Sequence, residues 1–139
     1  MEQDKFIRFS VSLPEPLLKA LDGEIVYQGY VSRSEFIRDL IREQILERRW
    51  EENEGEVVGV LTMIYDHHEH ELTQQLLAIQ HDASVHILCS THVHLDHHNC
   101  LETIILQGDA ADIRAITTKI AGLEGVKFAK LVKTGALAH

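Results

Sequence analysis

The densest metal-binding chemistry in this chain lies in Thr91-His92-Val93-His94-Leu95-Asp96-His97-His98-Asn99-Cys100. Residues two apart on a strand share a face, so His92 and His94 point the same way. A tight turn over Asp96-His97-His98-Asn99 would return Cys100 beside them on the next strand. Two imidazoles and a thiolate suit a borderline transition metal and are too soft for Mg2+ or Ca2+. A lone histidine here would read as a solvated polar residue; two histidines and a cysteine on one hairpin face point to metal. A fourth ligand is needed, and His81 is the candidate. Residues 84–92 extended would cover about 26 Å. If His81 serves the same ion, it must therefore come from another subunit. Tetrahedral Zn2+ and planar Ni2+ or Cu2+ both remain open to such a donor set.

His92-x-His94-x-Asp96-His97 also matches the H-x-H-x-D-H string of metallo-β-lactamase-type hydrolases. Those folds need a longer chain and further downstream ligands, and after His98 only the terminal His139 remains. The string here also runs straight into a returning strand, so the match is read as coincidental. His67, His68 and His70 form a second cluster, read as exposed loop histidines with an auxiliary cation role for His67 as the alternative. The two cysteines, Cys89 and Cys100, are better read as a ligand or buried thiol than as a disulfide.

Charge and histidine content divide the 139 residues. Residues 1–50 carry 8 Lys/Arg and 9 Asp/Glu, whereas residues 51–139 carry 5 and 13 of a net −9. All ten histidines fall in the second part. An acidic, histidine-rich region suits divalent cations better than phosphates. The start, Met1 to Phe9, has charges of both signs and no apolar core of a signal peptide. No apolar run approaches a membrane span. The cytoplasm is the expected compartment.

The elements that position these residues follow from periodicity. Ile7, Phe9, Val11 and Leu13 alternate with Arg8, Ser10 and Ser12, which predicts a strand over 6–13. A helix carrying Leu17, Leu18, Leu21 and Ile25 should end at Gly29. Ser32-Arg33-Ser34-Glu35 is a capping box opening a second helix. A lone strand needs a partner, and the same strand of a second chain would supply one in an antiparallel ribbon. Arg8, Ser10 and Ser12 on the polar face could then read base edges in a major groove. Residues 51–56 read as an acidic linker or a solvated helix end. Beyond them the pattern is strand 57–65, a helix with Leu72, Leu76 and Ile79, strand 84–95, strand 100–106, a helix capped by Asp109, and strand 126–132. That order is βαββαβ, the ferredoxin-like split βαβ. The class is α+β, with domains at 1–50 and 57–139.

Over nearly its whole length the sequence resembles the nickel-responsive transcriptional regulators (NikR). The resemblance rests on Arg8-Phe9-Ser10-Val11-Ser12-Leu13, Gly29-Tyr30, Arg33-Ser34-Glu35, Ile37-Arg38-Asp39, Gln80-His81 and His92-Val93-His94 with Cys100-Leu101-Glu102. It implies a non-enzymatic homotetramer. Two ribbon-helix-helix dimers would flank a core of ACT-like regulatory domains. Ni2+ would be held in planar geometry by His92, His94, Cys100 and a His81 donated across the subunit interface. The resemblance further implies support of the site by Glu102, an auxiliary cation near Glu35 and Asp39, base contacts from Arg8, Ser10 and Ser12, and repression of nickel-uptake genes on palindromic operator DNA. The chain departs from the family where serines replace common threonines at 10 and 12, where Met63 replaces a common aromatic, and where the His68-Glu69-His70 loop lacks basic residues.

Overall fold

The computed structural model describes residues 4–137 apart from Ala83, and of Asp82 only the backbone. The chain forms two compact units, one on the segment up to Ile45 and one on Leu46–Ala136.

The first unit contains α1 (Glu15–Tyr27) and most of α2 (Arg33–Glu52). Pro14 and Pro16 stand where a helix tolerates them, at its N-cap and in its first turn. Gly29, at φ +76°, ends α1. Its N–H bonds the Val26 carbonyl and that of Tyr30 bonds the Ile25 carbonyl, the paired closure of a Schellman motif. At the start of α2 the Ser32 hydroxyl accepts the Glu35 N–H at 3.2 Å, as the capping box predicts. Arg33 then grips Asp22 through two 2.8 Å hydrogen bonds and ties α2 to α1.

The predicted strand over 6–13 has no ladder in the single chain. The reason is physical, since a strand is completed only by the backbone groups of a neighbour. Its apolar residues stay in water: Ile7 is 80% exposed, Phe9 71% and Val11 63%. Phe9, Val11 and Leu13 line an open groove with Leu17, Ala20, Leu21, Glu24 and Ile37.

The second unit is one antiparallel sheet with two helices. Its elements are β1 (Glu56–Asp66), α3 (His70–Asp82), β2 (His86–His94), β3 (Asn99–Asp109), α4 (Ala110–Ala121) and β4 (Val126–Thr134). The strand order β2-β3-β1-β4 is the ferredoxin-like order that the βαββαβ pattern predicts. Alternation on β1 buries Val57, Leu61, Met63 and Tyr65. They meet Ile104 and Leu106 of β3, Leu72 and Leu76 of α3, and Ile113, Ile116 and Ile120 of α4. Asp109 stands at the N-cap of α4 as expected, but its side chain makes no capping hydrogen bond.

Of the two readings of the acidic segment 51–56, its first residues are the solvated helix end. Helix α2 continues to Glu52, where Arg48 and Glu52 pair at 3.0 Å, and β1 already begins at Glu56. The cause is Trp50, fully buried in the core of the second unit, with its indole N–H on the Thr134 carbonyl at 3.0 Å. Arg114 from α4 caps the same stretch through the Trp50 carbonyl and Asn53. Residues 138–139, which the sequence assigns to the second domain, lie outside the described residues.

Replacing Trp50 by Ala should cost about 3–5 kcal/mol, the usual loss for a buried large aromatic. A drop in the urea midpoint of unfolding would show it; an unchanged midpoint would mean the helix end is not part of this core.

Candidate metal centre and nucleic-acid face

Strand register sets the metal centre. The β2/β3 ladder places His94 opposite Cys100 and His92 opposite Glu102. The β1/β3 ladder extends the same rows, with Tyr65 opposite Cys100 and Met63 opposite Glu102. Directly paired residues share a face, so both histidines, the cysteine and Glu102 lie on one side of the sheet. It is the core side, where Cys100 is 1% exposed and Tyr65 6%. The His92 and His94 rings lie on the open edge strand, 5.6 Å apart between centroids. The buried thiol and the two reachable imidazoles are the soft and borderline donors expected.

Asp96 shapes the turn that joins them. Its carboxylate accepts the N–H groups of His98 and Asn99 and the Asn99 side-chain amide, each at 2.8 Å. These donors favour the charged form and lower its pKa from 3.8 to about 2. The Leu95 N–H bonds the Asn99 carbonyl and closes the hairpin. Beyond it, the loop before α3 docks on the turn. His67 and His68 reach the His98 and His97 carbonyls at 3.1 and 2.7 Å, and the His67 ring stacks edge-on with His94 at 4.6 Å. Burial and the neighbouring His68 and His94 hold His67 below the ordinary histidine pKa, which favours its neutral form. His97 and His98 pack on His68, a contact that no local sequence signal announced.

Glu102 is clamped from two strands. The Tyr65 hydroxyl donates to Oε2 at 2.9 Å and the Ser90 hydroxyl to Oε1 at 2.8 Å. Burial first, then the Glu102 carboxylate and the Cys100 thiol, push the Tyr65 phenol far above its ordinary pKa. Sequence reasoning missed Tyr65 and Ser90, because both join the site through register.

His81 is not brought to this cluster. It sits exposed in the last turn of α3, ahead of β2, which begins at His86. His92 and His94 lie at the far end of that strand, and six residues of strand span about 20 Å. Among the described residues no three His, Cys, Asp or Glu side chains converge as a metal-holding group, so register sets His92, His94 and Cys100 on one face without closing them into a site.

In the first unit Arg8, Ser10 and Ser12 are exposed. Glu35 and Asp39 share a small polar pocket with Tyr30, Arg38 and Arg42. Both Asp39 oxygens are engaged there, by the Tyr30 hydroxyl at 2.8 Å and Arg42 at 2.7 Å, and these donors lower its pKa.

Residues 58–134 match the family described as the NikR C terminal nickel binding domain, and residues 7–48 match ribbon-helix-helix proteins of the copG family. The chain belongs to the nickel-responsive regulator family. A Helicobacter pylori protein named as a nickel-responsive regulator is 51% identical over 141 residues, covering 99% of this chain and 95% of that one. One from Campylobacter concisus, named likewise, is 55% identical over 130 residues, covering 94% and 95%. Among solved structures, an uncharacterized Thermotoga maritima protein superposes at TM-score 0.51 with 20% identity, over 56% of this chain and 96% of that one. That likeness concerns the fold alone. The protein is thus a regulator and not an enzyme, with a ribbon-helix-helix DNA-binding domain and a ferredoxin-like nickel-binding domain. No helix among the described residues is long and apolar enough to cross a membrane.

Because the Asp96 pKa lies below its unfolded value of 3.8, its contribution to the turn is complete above that value and is lost as pH falls toward 2. An NMR titration of the Asp96 carboxyl should give a midpoint near 2; a midpoint near 3.8 would contradict the hairpin geometry.

Proposed function

We propose that this protein is a repressor that binds palindromic operator DNA when loaded with Ni2+ and so controls nickel-uptake genes in the cytoplasm. The observation that carries the metal half is the pairing of His94 with Cys100 and of His92 with Glu102 on one sheet face. His92, His94 and Cys100 would hold the ion with His81 of the partner subunit. The exposed position of His81, ahead of the whole of β2, supports that division. Bound nickel would supply a link between subunits that no side chain of one copy can make. Glu102, opposite His92, would accept the second ring N–H of that ligand.

The DNA half rests on the segment 6–13. Its exposed apolar side chains call for a second copy, whose equivalent segment would complete a two-stranded ribbon. Arg8, Ser10 and Ser12 would then face the major groove, with the capped start of α2 as a phosphate anchor. Two such dimers make the tetramer that a shared His81 requires. The net charge of −9 leaves little non-specific attraction to DNA, so avidity over two half-sites would carry much of the affinity. Nickel acts by favouring the subunit arrangement that fits both half-sites, and its effect is bounded by its preference for that arrangement.

Asp96, His97 and His98 serve the turn and its packing, so the hydrolase-like string has a structural explanation. His67, stacked on His94, is the residue for an auxiliary cation near the main centre. At Glu35 and Asp39, an auxiliary cation would have to displace Arg42.

The test is operator binding by fluorescence anisotropy with and without Ni2+. Wild type should bind only with nickel. Cys100→Ala should lose tight nickel binding, thiolate-to-nickel absorption and operator binding together. Deletion of residues 1–12 should abolish operator binding and leave nickel affinity intact. Full nickel affinity in Cys100→Ala would remove the site assignment.

A further inference from the structure

Glu102 is half-buried and takes part in no ion pair with arginine or lysine among the described residues. Its neighbours across the ladders are Met63, fully buried, and His92. A carboxylate in that setting is stable only if hydrogen-bond donors satisfy it. The chain provides one for each oxygen. Tyr65 reaches Oε2 from β1, and Ser90 reaches Oε1 from β2. The two donors stand on opposite sides of β3 and in different rows of the sheet. Tyr65 is in the Cys100 row, and Ser90 is opposite Ile104.

Resting on the nickel-site reading above, we propose that Tyr65 and Ser90 are positioning residues of the metal centre: together they fix the Glu102 carboxylate so that it meets His92 and stays apart from the Cys100 sulfur. The need for such a clamp follows from charge. Glu102 and a deprotonated Cys100 lie on the same face two residues apart on one strand. An unrestrained carboxylate could turn toward the metal or crowd the thiolate. Hydroxyl donors on both oxygens prevent either movement without adding a competing charge. Tyr65 stands opposite Cys100, and its hydroxyl lies close to the Cys100 thiol as well as on Glu102, so one side chain bears on both rows. Residues behind metal ligands commonly change metal affinity by about 10–100-fold when removed.

A double-mutant cycle on the full-length protein separates positioning from packing. Nickel affinity is measured by chelator competition for wild type, Tyr65→Phe, Ser90→Ala, Glu102→Gln and each hydroxyl variant combined with Glu102→Gln. Circular dichroism and thermal unfolding of the metal-free proteins accompany it. Tyr65→Phe should keep one nickel per chain with its thiolate absorption band and bind it about 10–100-fold more weakly. Ser90→Ala, on an exposed edge strand where folding is not at stake, should weaken binding in the same direction, and Ser90→Thr should restore it. In the Glu102→Gln background both hydroxyl losses should have much less effect. Equal losses in both backgrounds, or wild-type affinity in both single variants, would overturn the proposal. Absence of the thiolate band in wild type itself would instead overturn the nickel-site reading on which it rests.

Discussion

The two-residue repeat of a β-strand, locked by the register of β3 against its neighbours, is the constraint on which this molecule depends. It assigns His92, His94, Cys100, Glu102 and Tyr65 to one face and sets who stands opposite whom. A slip of one residue would send every one of them to the other side of the sheet. The register is held by more than the site. Ile104 and Leu106 continue the same face of β3 into the core, so hydrophobic burial fixes these side chains to their face. The Asp96 turn holds the other end, through three hydrogen bonds to one carboxylate. The chemistry of the site is therefore built on a frame whose stability comes from elsewhere.

A single copy leaves two features incomplete. One is the segment 6–13, whose apolar side chains remain in water. The other, on the proposed reading, is the ligand set, because His81 stands ahead of the strand whose far end carries His92 and His94. On the proposed reading one act, assembly of copies, answers both. It pairs the strands into a DNA-reading ribbon and brings the partner's His81 to the metal. Metal occupancy then bears on quaternary arrangement, and arrangement bears on which DNA can be gripped.

How much of this the sequence revealed depended on how local each feature was. His92 and His94 are two apart, and Cys100 lies one tight turn away, so strand geometry alone joined them. Ser32 and Glu35 announced α2 for the same reason, and Gly29 announced the end of α1. Tyr65 is far from Cys100 along the chain, and only the β1/β3 register makes them neighbours. Ser90 looked like any polar residue on an edge strand until its hydroxyl met Glu102. At residues 51–52 the acidic composition left a linker and a solvated helix end both open, and the burial of Trp50 goes with the helix end. The strand over 6–13 was legible as a pattern, yet no pattern can supply the second edge it needs.

The most direct test of the central claim is subunit mixing. His81→Ala and Cys100→Ala proteins are prepared separately, each unable to form the complete four-ligand set. They are then unfolded and refolded together, and the thiolate-to-nickel absorption band is measured during titration with Ni2+. If His81 is donated by a partner, mixed oligomers hold some complete sites, and the band should return to a fraction of its wild-type intensity. If all four ligands come from one chain, no mixture can rebuild a site, and the band would stay absent at every ratio.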